Sequence, residues 1–326
     1  METIQQARSV ARLRTGVEVR YMEQGPREAS EVILLLHGWP DSSFSFSRVL
    51  PALAPDRYRA VAIDQRGFGE SERPASGYAI DDLAADAVAF LDALGIAEAT
   101  VVGHSMGSFV ARRVAELHPL RVRRLALIGS AISANNEVLR EVAELVREVS
   151  EPVPVDFTRE FQAGTLYAPV PEAFFDALVA ESRKAPARVW RNVIDGVLAF
   201  DDASQPRDIT APTLVLGGEH DALFSVAEQT ALAAAIPGAR LTLYPDTGHC
   251  PNWERPERVA ADLDTFIRQT RRQIYGVSDV HDARPAGHLR RRHPDRILDQ
   301  RGRAAAGAGA RRHGGSHDAG PGRAAA

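Results

Sequence analysis

Apolar and polar positions along the chain alternate between short runs typical of strands and longer stretches with helical spacing. Seven short runs of β-branched and aliphatic residues predict strands, at 17–22, 32–36, 60–64, 100–102, 124–128, 213–216 and 240–244. The middle runs are continuously apolar, which is typical of strands buried on both faces of a parallel sheet. Between them, 80–94 and 110–117 have helical spacing, and 256–269 predicts a closing helix. The alternation predicts an α/β fold with a mostly parallel central sheet flanked by helices.

The alternation breaks between 133 and 205, where no strand pattern appears. Helical spacing occurs there in three segments, at 137–149, 171–184 and 186–200. An insertion between two parallel strands emerges near the carboxyl ends of the sheet, where ligands bind in α/β folds. We therefore expect 133–205 to form a helical cap over a site, with 1–132 and 206–272 forming the core. The alternative is that the insertion only adds to the core.

The segment 273–326 differs in composition from the rest of the chain. It is rich in Arg, Ala, Gly, Pro and His, and Tyr275 is its only aromatic residue. Because this composition buries too little apolar surface to offset the entropy of ordering, we expect a disordered tail. The alternative is an RNA-binding or metal-binding tail. No aromatic residues interleave with its charges, however, and its histidines lack a ligand spacing.

The composition of the 326 residues, 44% hydrophobic and 25% charged, is that of an ordinary globular protein. A net charge of -4 gives no electrostatic reason to expect nucleic acid or an anionic membrane as partner, although 271–326 carries +7 and the remainder -11. The amino terminus lacks an apolar signal segment, and no stretch approaches the roughly 18 apolar residues of a membrane span. Cys250 is the single cysteine, so no intramolecular disulfide forms. We expect a cytoplasmic protein.

A nucleophile motif follows the predicted strand 100–102. The strand runs directly into GHSMG at 103–107, and a helical segment follows. In a G-x-S-x-G elbow, a sharp turn exposes the serine hydroxyl, and the glycines remove the Cβ atoms that would collide there. The motif alone is only moderately specific, but its position between an apolar strand and a helix is the one the elbow needs. We predict Ser105 as the nucleophile.

A serine hydroxyl needs a base to take its proton, and the base needs a third group to fix its tautomer. His249 lies in a polar loop between the last predicted strand and the closing helix, and is the predicted base. Asp221 lies just beyond the strand 213–216 and is the predicted acid. Glu219, two residues earlier, is the alternative acid. The chain order Ser, Asp, His is the one found in α/β-hydrolases.

The tetrahedral intermediate of acyl transfer also needs hydrogen-bond donors for its oxyanion. The backbone N–H of Met106, directly after the nucleophile, is the first predicted donor. The second is the N–H of Trp39, in the loop HGWP at 37–40, where Gly38 lets the backbone approach closely. The indole of Trp39 is alternatively a simple core aromatic.

Together these motifs resemble those of the α/β-hydrolase superfamily. The matching segments, in order over roughly 10–272, are HGWPDSS, DQRGFGES, GHSMGS, GGEHDALF and TGHCPNWERPE. The first is similar to that of epoxide hydrolases. The second resembles a loop shared by epoxide hydrolases, haloperoxidases and related esterases, which implies that Asp64 and Arg66 hold this loop. Epoxide hydrolases and haloalkane dehalogenases have an aspartate at the elbow and form an alkyl ester on it. This chain has Ser105 there, and the alkyl ether that a serine would form is too stable to hydrolyse. Serine at this position indicates acyl transfer.

The sequence therefore predicts a serine hydrolase that needs no cofactor and no metal. We expect a carboxylesterase that cleaves a small or medium ester with an apolar portion through an acyl-enzyme intermediate. Four residues are candidates for lining the substrate pocket, although each is alternatively a packing residue: His104, Phe174, Phe175 and Trp190. A C–C bond hydrolase, a lactonase and a perhydrolase use the same triad and stay open. A hydrolase-like ligand-binding signalling protein is the alternative from another class.

Overall fold

The computed structural model describes residues 8–200 and 206–275. Eight strands in these ranges form one sheet, in the order β1-β2-β4-β3-β5-β6-β7-β8. The strands are β1 (Ser9–Arg12), β2 (Glu18–Gln24), β3 (Glu31–Leu36), β4 (Tyr58–Ile63), β5 (Ala99–His104), β6 (Val122–Ile128), β7 (Thr213–Gly218) and β8 (Arg240–Tyr244). The β1–β2 and β2–β4 pairs are antiparallel, and all other pairs are parallel. The predicted α/β fold with a mostly parallel sheet is confirmed.

Nine α-helices lie in the described ranges. They are α1 (Ile80–Ala93), α2 (Met106–Leu117), α3 (Glu137–Arg147), α4 (Val155–Gly164), α5 (Glu172–Ser182), α6 (Ala187–Leu198), α7 (Val226–Ala235), the short α8 (Pro251–Glu254) and α9 (Pro256–Tyr275). Within the described ranges, no helix combines the length and the apolar character needed to cross a membrane.

The central strands divide the core into two layers. In β3, Leu34 and Leu36 pack into one apolar cluster, while Ile33 and Leu35 pack into the cluster on the opposite face. This division follows from the two-residue period of a strand, whose side chains point alternately to the two faces. Every residue of β4 and β5 is buried, which explains the continuously apolar pattern of the central strands.

The strand β1 is absent from the sequence prediction because its signal is weak. Only Ala11 of its four residues is buried, so apolar alternation is missing. At the other end of the chain, α9 continues to Tyr275, beyond the predicted boundary at 272. The remainder of the predicted tail, 276–326, lies outside the described residues.

The insertion between β6 and β7 has one more helix than predicted. Its four helices are α3, α4, α5 and α6, and residues 201–205 at its end lie outside the described residues. The sequence prediction missed α4, whose only apolar signal at helical spacing is the pair Phe157 and Phe161. This omission affects the predicted pocket, as described below.

The loop after β4 is held by the two residues for which the family resemblance implies that role. The carboxylate of Asp64 accepts hydrogen bonds from the backbone N–H groups of Ser43 at 2.8 Å and Glu70 at 2.9 Å. Arg66 forms a bidentate pair with Asp86 of α1, at 2.5 and 2.6 Å. The loops after β3 and β4 are therefore fixed to each other and to α1, at the edge of the sheet where β5 ends.

Candidate active site

Ser105 stands at the turn between β5 and α2, in a backbone conformation that few non-glycine residues adopt. Its φ is 50° and its ψ is -122°. The neighbouring glycines are required by close backbone contacts. A Cβ on Gly103 would lie 2.1 Å from the carbonyl oxygen of Gly107, and a Cβ on Gly107 would lie 2.2 Å from that of Leu36. The motif therefore encodes a turn that no larger residue at 103 or 107 would allow.

His249 follows β8 and its ring is paired with Asp221, which follows β7. The Nδ1 atom of His249 lies 3.0 and 2.9 Å from the two carboxylate oxygens of Asp221. The Asp221 side chain is fully buried and also accepts the backbone N–H groups of Leu223 and Phe224, at 2.8 and 2.9 Å. Glu219, the alternative acid, is exposed, and its N–H donates to a carbonyl of β8. The structure thus places Asp221 and not Glu219 against the imidazole.

This pairing determines the tautomer of His249. An ionised carboxylate only accepts hydrogen bonds, so the Nδ1 atom carries the proton and the Nε2 atom is left as an acceptor. Nε2 is buried and has no hydrogen-bond partner among the described residues. Ser105 and His249 line the same pocket. A buried and unprotonated imidazole nitrogen in that pocket is what a base for a serine hydroxyl requires.

The backbone of the HGWP loop passes directly beside Ser105, the predicted nucleophile. A Cβ on Gly38 would lie 3.0 Å from the Cβ of Ser105 and 3.0 Å from the Nδ1 atom of His104. The next residue, Trp39, lines the pocket together with Met106. Met106 is the first residue of α2, so its N–H has no acceptor one turn earlier in the helix. The two residues with the predicted oxyanion donors therefore line the same pocket as Ser105, on segments that are in contact.

His37 fixes the conformation of this loop. Its Nδ1 atom donates to the carbonyl of Gly38 at 2.7 Å, and its Nε2 atom accepts the N–H of Gln65 at 3.0 Å. Burial lowers the pKa of His37 to about 4, so the ring stays neutral and keeps one donor and one acceptor. The side chain of Gln65 also donates to the carbonyl of His37 at 2.8 Å. The loop that carries Trp39 is thus held from the loop after β4.

The pocket at the elbow encloses about 470 Å³ of empty space, including its opening to solvent. Its walls are mostly apolar, and the insertion supplies part of them. The lining residues are Trp39, Asp41, His104, Ser105, Met106, Phe109, Leu139, Phe161, Gln162, Thr165, Ile194, Val197, Leu223, Phe224, His249, Cys250 and Trp253. A mostly apolar wall with a few polar groups suits a ligand that has an apolar portion.

Three of the four predicted pocket residues do not line this pocket. Trp190 is fully buried and packs edge-on against Trp39. Phe174 stacks on Phe44, and Phe175 lies beneath the guanidinium of Arg159. A role for these three residues in substrate binding therefore stays a prediction, and the sequence analysis did not include α4. That helix and the residue that follows it supply Phe161, Gln162 and Thr165 to the wall, and the spacing of Phe157 and Phe161 was the signal that would have revealed it.

His104, the fourth candidate, lines the pocket and also contacts the loop of the base. Its Nε2 atom lies 3.2 Å from the carbonyl oxygen of His249 and donates to it. Burial lowers the pKa of His104 well below its ordinary value, and the neighbouring His249 lowers it further. A neutral ring with its proton on Nε2 supports the backbone of His249 and adds no charge to the pocket.

A buried carboxyl group, which the sequence analysis did not single out, belongs to the pocket wall. Asp41 accepts a hydrogen bond at 2.9 Å from the Nε2 atom of Gln162, whose amide also donates to Ser182 at 2.8 Å. Burial raises the pKa of Asp41 to about 7. Cys250 also lines the pocket, and burial raises the pKa of its thiol well above the ordinary value. Its sulfur is therefore a protonated packing group.

Metal ligands are not gathered in this region. Among residues 8–200 and 206–275, no group of three or more His, Cys, Asp or Glu side chains is placed to hold a metal ion.

Comparison with known proteins assigns the family. A family model described as alpha/beta hydrolase fold matches residues 31–256. The chain therefore belongs to the α/β-hydrolase family of enzymes. A non-heme haloperoxidase of Rhodococcus erythropolis is 31% identical over 273 residues, which cover 77% of this chain and 96% of that protein. A bifunctional esterase/perhydrolase of Acinetobacter calcoaceticus is 29% identical over 271 residues, covering 78% and 97%.

Solved structures agree with this assignment at the level of the fold. An esterase from Exiguobacterium antarcticum superimposes with a TM-score of 0.72 at 21% identity, covering 80% of this chain and 99% of that protein. The chain is thus a hydrolase-fold enzyme whose relatives include esterases, haloperoxidases and perhydrolases, and the resemblance inferred from the five motifs is confirmed.

Proposed function

We propose that this protein is a serine hydrolase that cleaves a small or medium carboxylic ester through an acyl-enzyme intermediate. The observation that carries the proposal is the pairing of His249 with the buried carboxylate of Asp221, in the pocket that also holds Ser105 in its strained turn. This combination supplies a base of defined tautomer and a nucleophile held outside the ordinary backbone regions.

The reaction begins when the Oγ atom of Ser105 attacks the ester carbonyl and its proton passes to Nε2 of His249. Asp221 accepts the Nδ1–H of the imidazolium that forms and stabilises its charge. The N–H groups of Trp39 and Met106 donate to the oxyanion of the tetrahedral intermediate. His249 then protonates the leaving alcohol. In the second half, His249 takes a proton from water, which attacks the acyl-enzyme. His249 then returns this proton to the Oγ atom of Ser105 as the bond to the acyl group breaks and the acid leaves.

The lining of the pocket supports the substrate class. Most lining residues are apolar, and the polar ones are concentrated near Ser105 and around Asp41 and Gln162. An ester with an apolar portion of moderate size matches this distribution, because buried apolar surface provides affinity while few polar groups orient the reacting bond.

The test is hydrolysis of p-nitrophenyl esters of increasing acyl length by the wild-type protein and by Ser105→Ala. We expect the variant to lose roughly 10³-fold or more in kcat, as on removal of triad members in other serine hydrolases. Ser108→Ala is a matched control, since this hydroxyl lies in the first turn of α2, where it donates to the Ser105 carbonyl and accepts from the Ser130 hydroxyl. Equal ester turnover by wild type and Ser105→Ala would refute the assignment.

Perhydrolysis is the second candidate, and the names of the relatives favour it. The haloperoxidase and the esterase/perhydrolase each align with more than three quarters of this chain. In that reaction hydrogen peroxide replaces water in attacking the acyl-enzyme, so the same three residues serve. Peracid formation from an ester and peroxide, measured beside ester hydrolysis, separates the two activities. A burst of one product without turnover would instead favour the signalling alternative.

Three further expectations remain predictions. They are the action of 133–205 as a cap that sets substrate choice, a cytoplasmic location, and partners limited to a small-molecule ester. Limited proteolysis of the insertion, with ester preference measured before and after, tests the first.

A further inference from the structure

Glu254, at the end of α8, is a buried carboxylate whose hydrogen bonds all come from backbone N–H groups. Its side chain accepts the N–H of Gly248 at 2.9 and 3.1 Å, that of Ala168 at 2.7 Å and that of Tyr167 at 3.3 Å. The residue is only 6% exposed. Burial raises its pKa, while these N–H groups act in the opposite direction. Burying a carboxylate costs free energy, so its hydrogen-bond partners indicate its role.

These donors belong to two segments that are far apart in sequence. Gly248 directly precedes the base His249, and Tyr167 and Ala168 belong to the insertion, just after α4. The carboxylate therefore connects the loop that carries the base to the segment 165–168 of the insertion.

The two segments are also in direct contact. The N–H of His249 donates to the carbonyl of Thr165 at 2.9 Å. A Cβ on Gly248 would lie 2.6 Å from the nitrogen of Tyr167 and 2.8 Å from the carbonyl oxygen of Thr165. The insertion thus packs against the backbone of both Gly248 and His249. The carboxylate of Glu254 accepts hydrogen bonds from both segments at this contact.

The position of the His249 ring depends on this backbone. Asp221 holds Nδ1, but in the proposed mechanism Nε2 must also approach the hydroxyl of Ser105 in the same pocket, which requires the backbone at 248–249 to stay in place. A displacement of about 1 Å in a reacting group costs roughly 10²-fold in rate. Of the backbone groups around the base, the carbonyl of His249 is held by His104 and its N–H by Thr165. The N–H of Gly248 is held by Glu254 alone among the described residues.

We propose that Glu254 is a positioning residue for His249, which joins the loop of the base to the insertion and so keeps Nε2 aligned with Ser105. This inference rests on the proposed serine-hydrolase function. It predicts that turnover depends on a carboxylate that touches neither the substrate nor a reacting atom.

Glu254→Gln is the variant that isolates this role. The amide oxygen keeps the contacts of one carboxylate oxygen with the N–H groups of Ala168 and Tyr167, and also its longer contact of 3.1 Å with the Gly248 nitrogen. The amide NH₂ then takes the place of the oxygen that lies 2.9 Å from the Gly248 nitrogen, so that two donors oppose each other. The contact with the insertion survives, and the support of the base loop is weakened. Glu257→Gln, at an exposed residue in the first turn of α9, is the matched control.

The experiment measures kcat and KM for p-nitrophenyl esters in the full chain, together with the melting temperature and the far-downfield proton resonance of His249 Nδ1–H. For Glu254→Gln we expect kcat to fall roughly 10- to 100-fold with KM changed by less than about twofold, because only the alignment of the base is lost. The downfield resonance should shift or broaden. Glu257→Gln should match the wild type in every measurement.

Gly248→Ala approaches the same contact from the other side and serves if Glu254→Gln does not fold. Its new Cβ would force Tyr167 and Thr165 away from the base loop. We expect the same fall in kcat and the same change in the downfield resonance. A folded Glu254→Gln with wild-type kcat, or a loss of kcat with an unchanged resonance, overturns the proposal. Activity retained by Ser105→Ala would instead overturn the underlying serine mechanism, and the resonance then still reports on the alignment of His249.

Discussion

Replacing Asp41 by Asn should remove from the protein one contribution to the pH dependence of stability, the one that lowers stability as the pH rises. In the folded protein the carboxyl group of Asp41 is buried in the pocket wall, and burial raises its pKa from an ordinary 3.8 to about 7. Between these two values the folded state binds a proton that the unfolded chain releases. The stability contributed by this proton is fully present below the unfolded pKa and is lost as the pH rises through the folded one. Asn at position 41 keeps an oxygen for Gln162 and does not titrate.

The magnitude follows from the difference in pKa. Each unit corresponds to about 1.4 kcal/mol, so the full shift of about three units is worth about 4 kcal/mol. Between pH 5 and pH 8, the contribution of Asp41 to the free energy of unfolding falls by about 3 kcal/mol. Relative to the wild type, the variant should therefore gain about 3 kcal/mol in free energy of unfolding as the pH is raised from 5 to 8. The sign is opposite to that of an exposed, salt-bridged aspartate.

Urea denaturation of both proteins at several values of pH measures this difference directly. The pH dependence of all other groups is common to the two proteins and cancels. Asp56→Asn, at an exposed position, is the control and should follow the wild type. Infrared spectroscopy supplies an independent reading, since a protonated carboxyl band present at pH 5 should disappear through pH 7 in the wild type only. Parallel curves for wild type and Asp41→Asn would show that Asp41 is ionised throughout, and the reasoning would fail.

Three further substitutions test the geometry of the site. Asp221→Asn should lower kcat by roughly 10⁴-fold with the fold intact, because the amide favours the wrong tautomer of His249; stopped-flow acylation by an aryl ester measures this loss, and a loss below tenfold would contradict the assignment. Gly107→Ala should destabilise the protein by about 1 to 3 kcal/mol or more, since its Cβ would meet the Leu36 carbonyl at 2.2 Å; thermal unfolding compares it with wild type. Trp39→Phe should retain kcat within about tenfold, because the proposed donor is the backbone N–H; a loss as large as that of Ser105→Ala would assign the chemistry to the indole.

The sequence predicts the strands and the elbow well because their causes are local. Gly103 and Gly107 are required by contacts within the turn and with the adjacent strand, and the central strands are buried on both faces whatever the details of packing. His249 and Asp221 follow predicted strands, so their meeting at one edge of the sheet follows from the order of parallel strands. For this reason the fold and the proposed triad could be predicted from the sequence.

The part of the pocket wall formed by α4 and the contacts of Glu254 with the loop of His249 could not be predicted in the same way. Helix α4 has few apolar positions, because one side of it faces solvent and its pocket side includes the polar Gln162. The role of Glu254 is hidden further, since its hydrogen-bond donors at 167 and 168 are more than 80 positions away in the chain. Backbone N–H groups also carry no sequence signature. Both features arise from tertiary packing that no local pattern records.

The hydrogen bond from His249 to the carbonyl of Thr165 has a consequence for redesign of this enzyme. Grafting the insertion of a relative onto the sheet would replace part of the pocket wall and, with it, the carbonyl that holds the backbone N–H of His249, the proposed base. Such hybrids should differ in turnover number even for substrates that both parents accept equally well. A graft that preserves 165–168 and exchanges only the surrounding helices would separate the two properties, and so allow specificity to be redesigned without loss of rate.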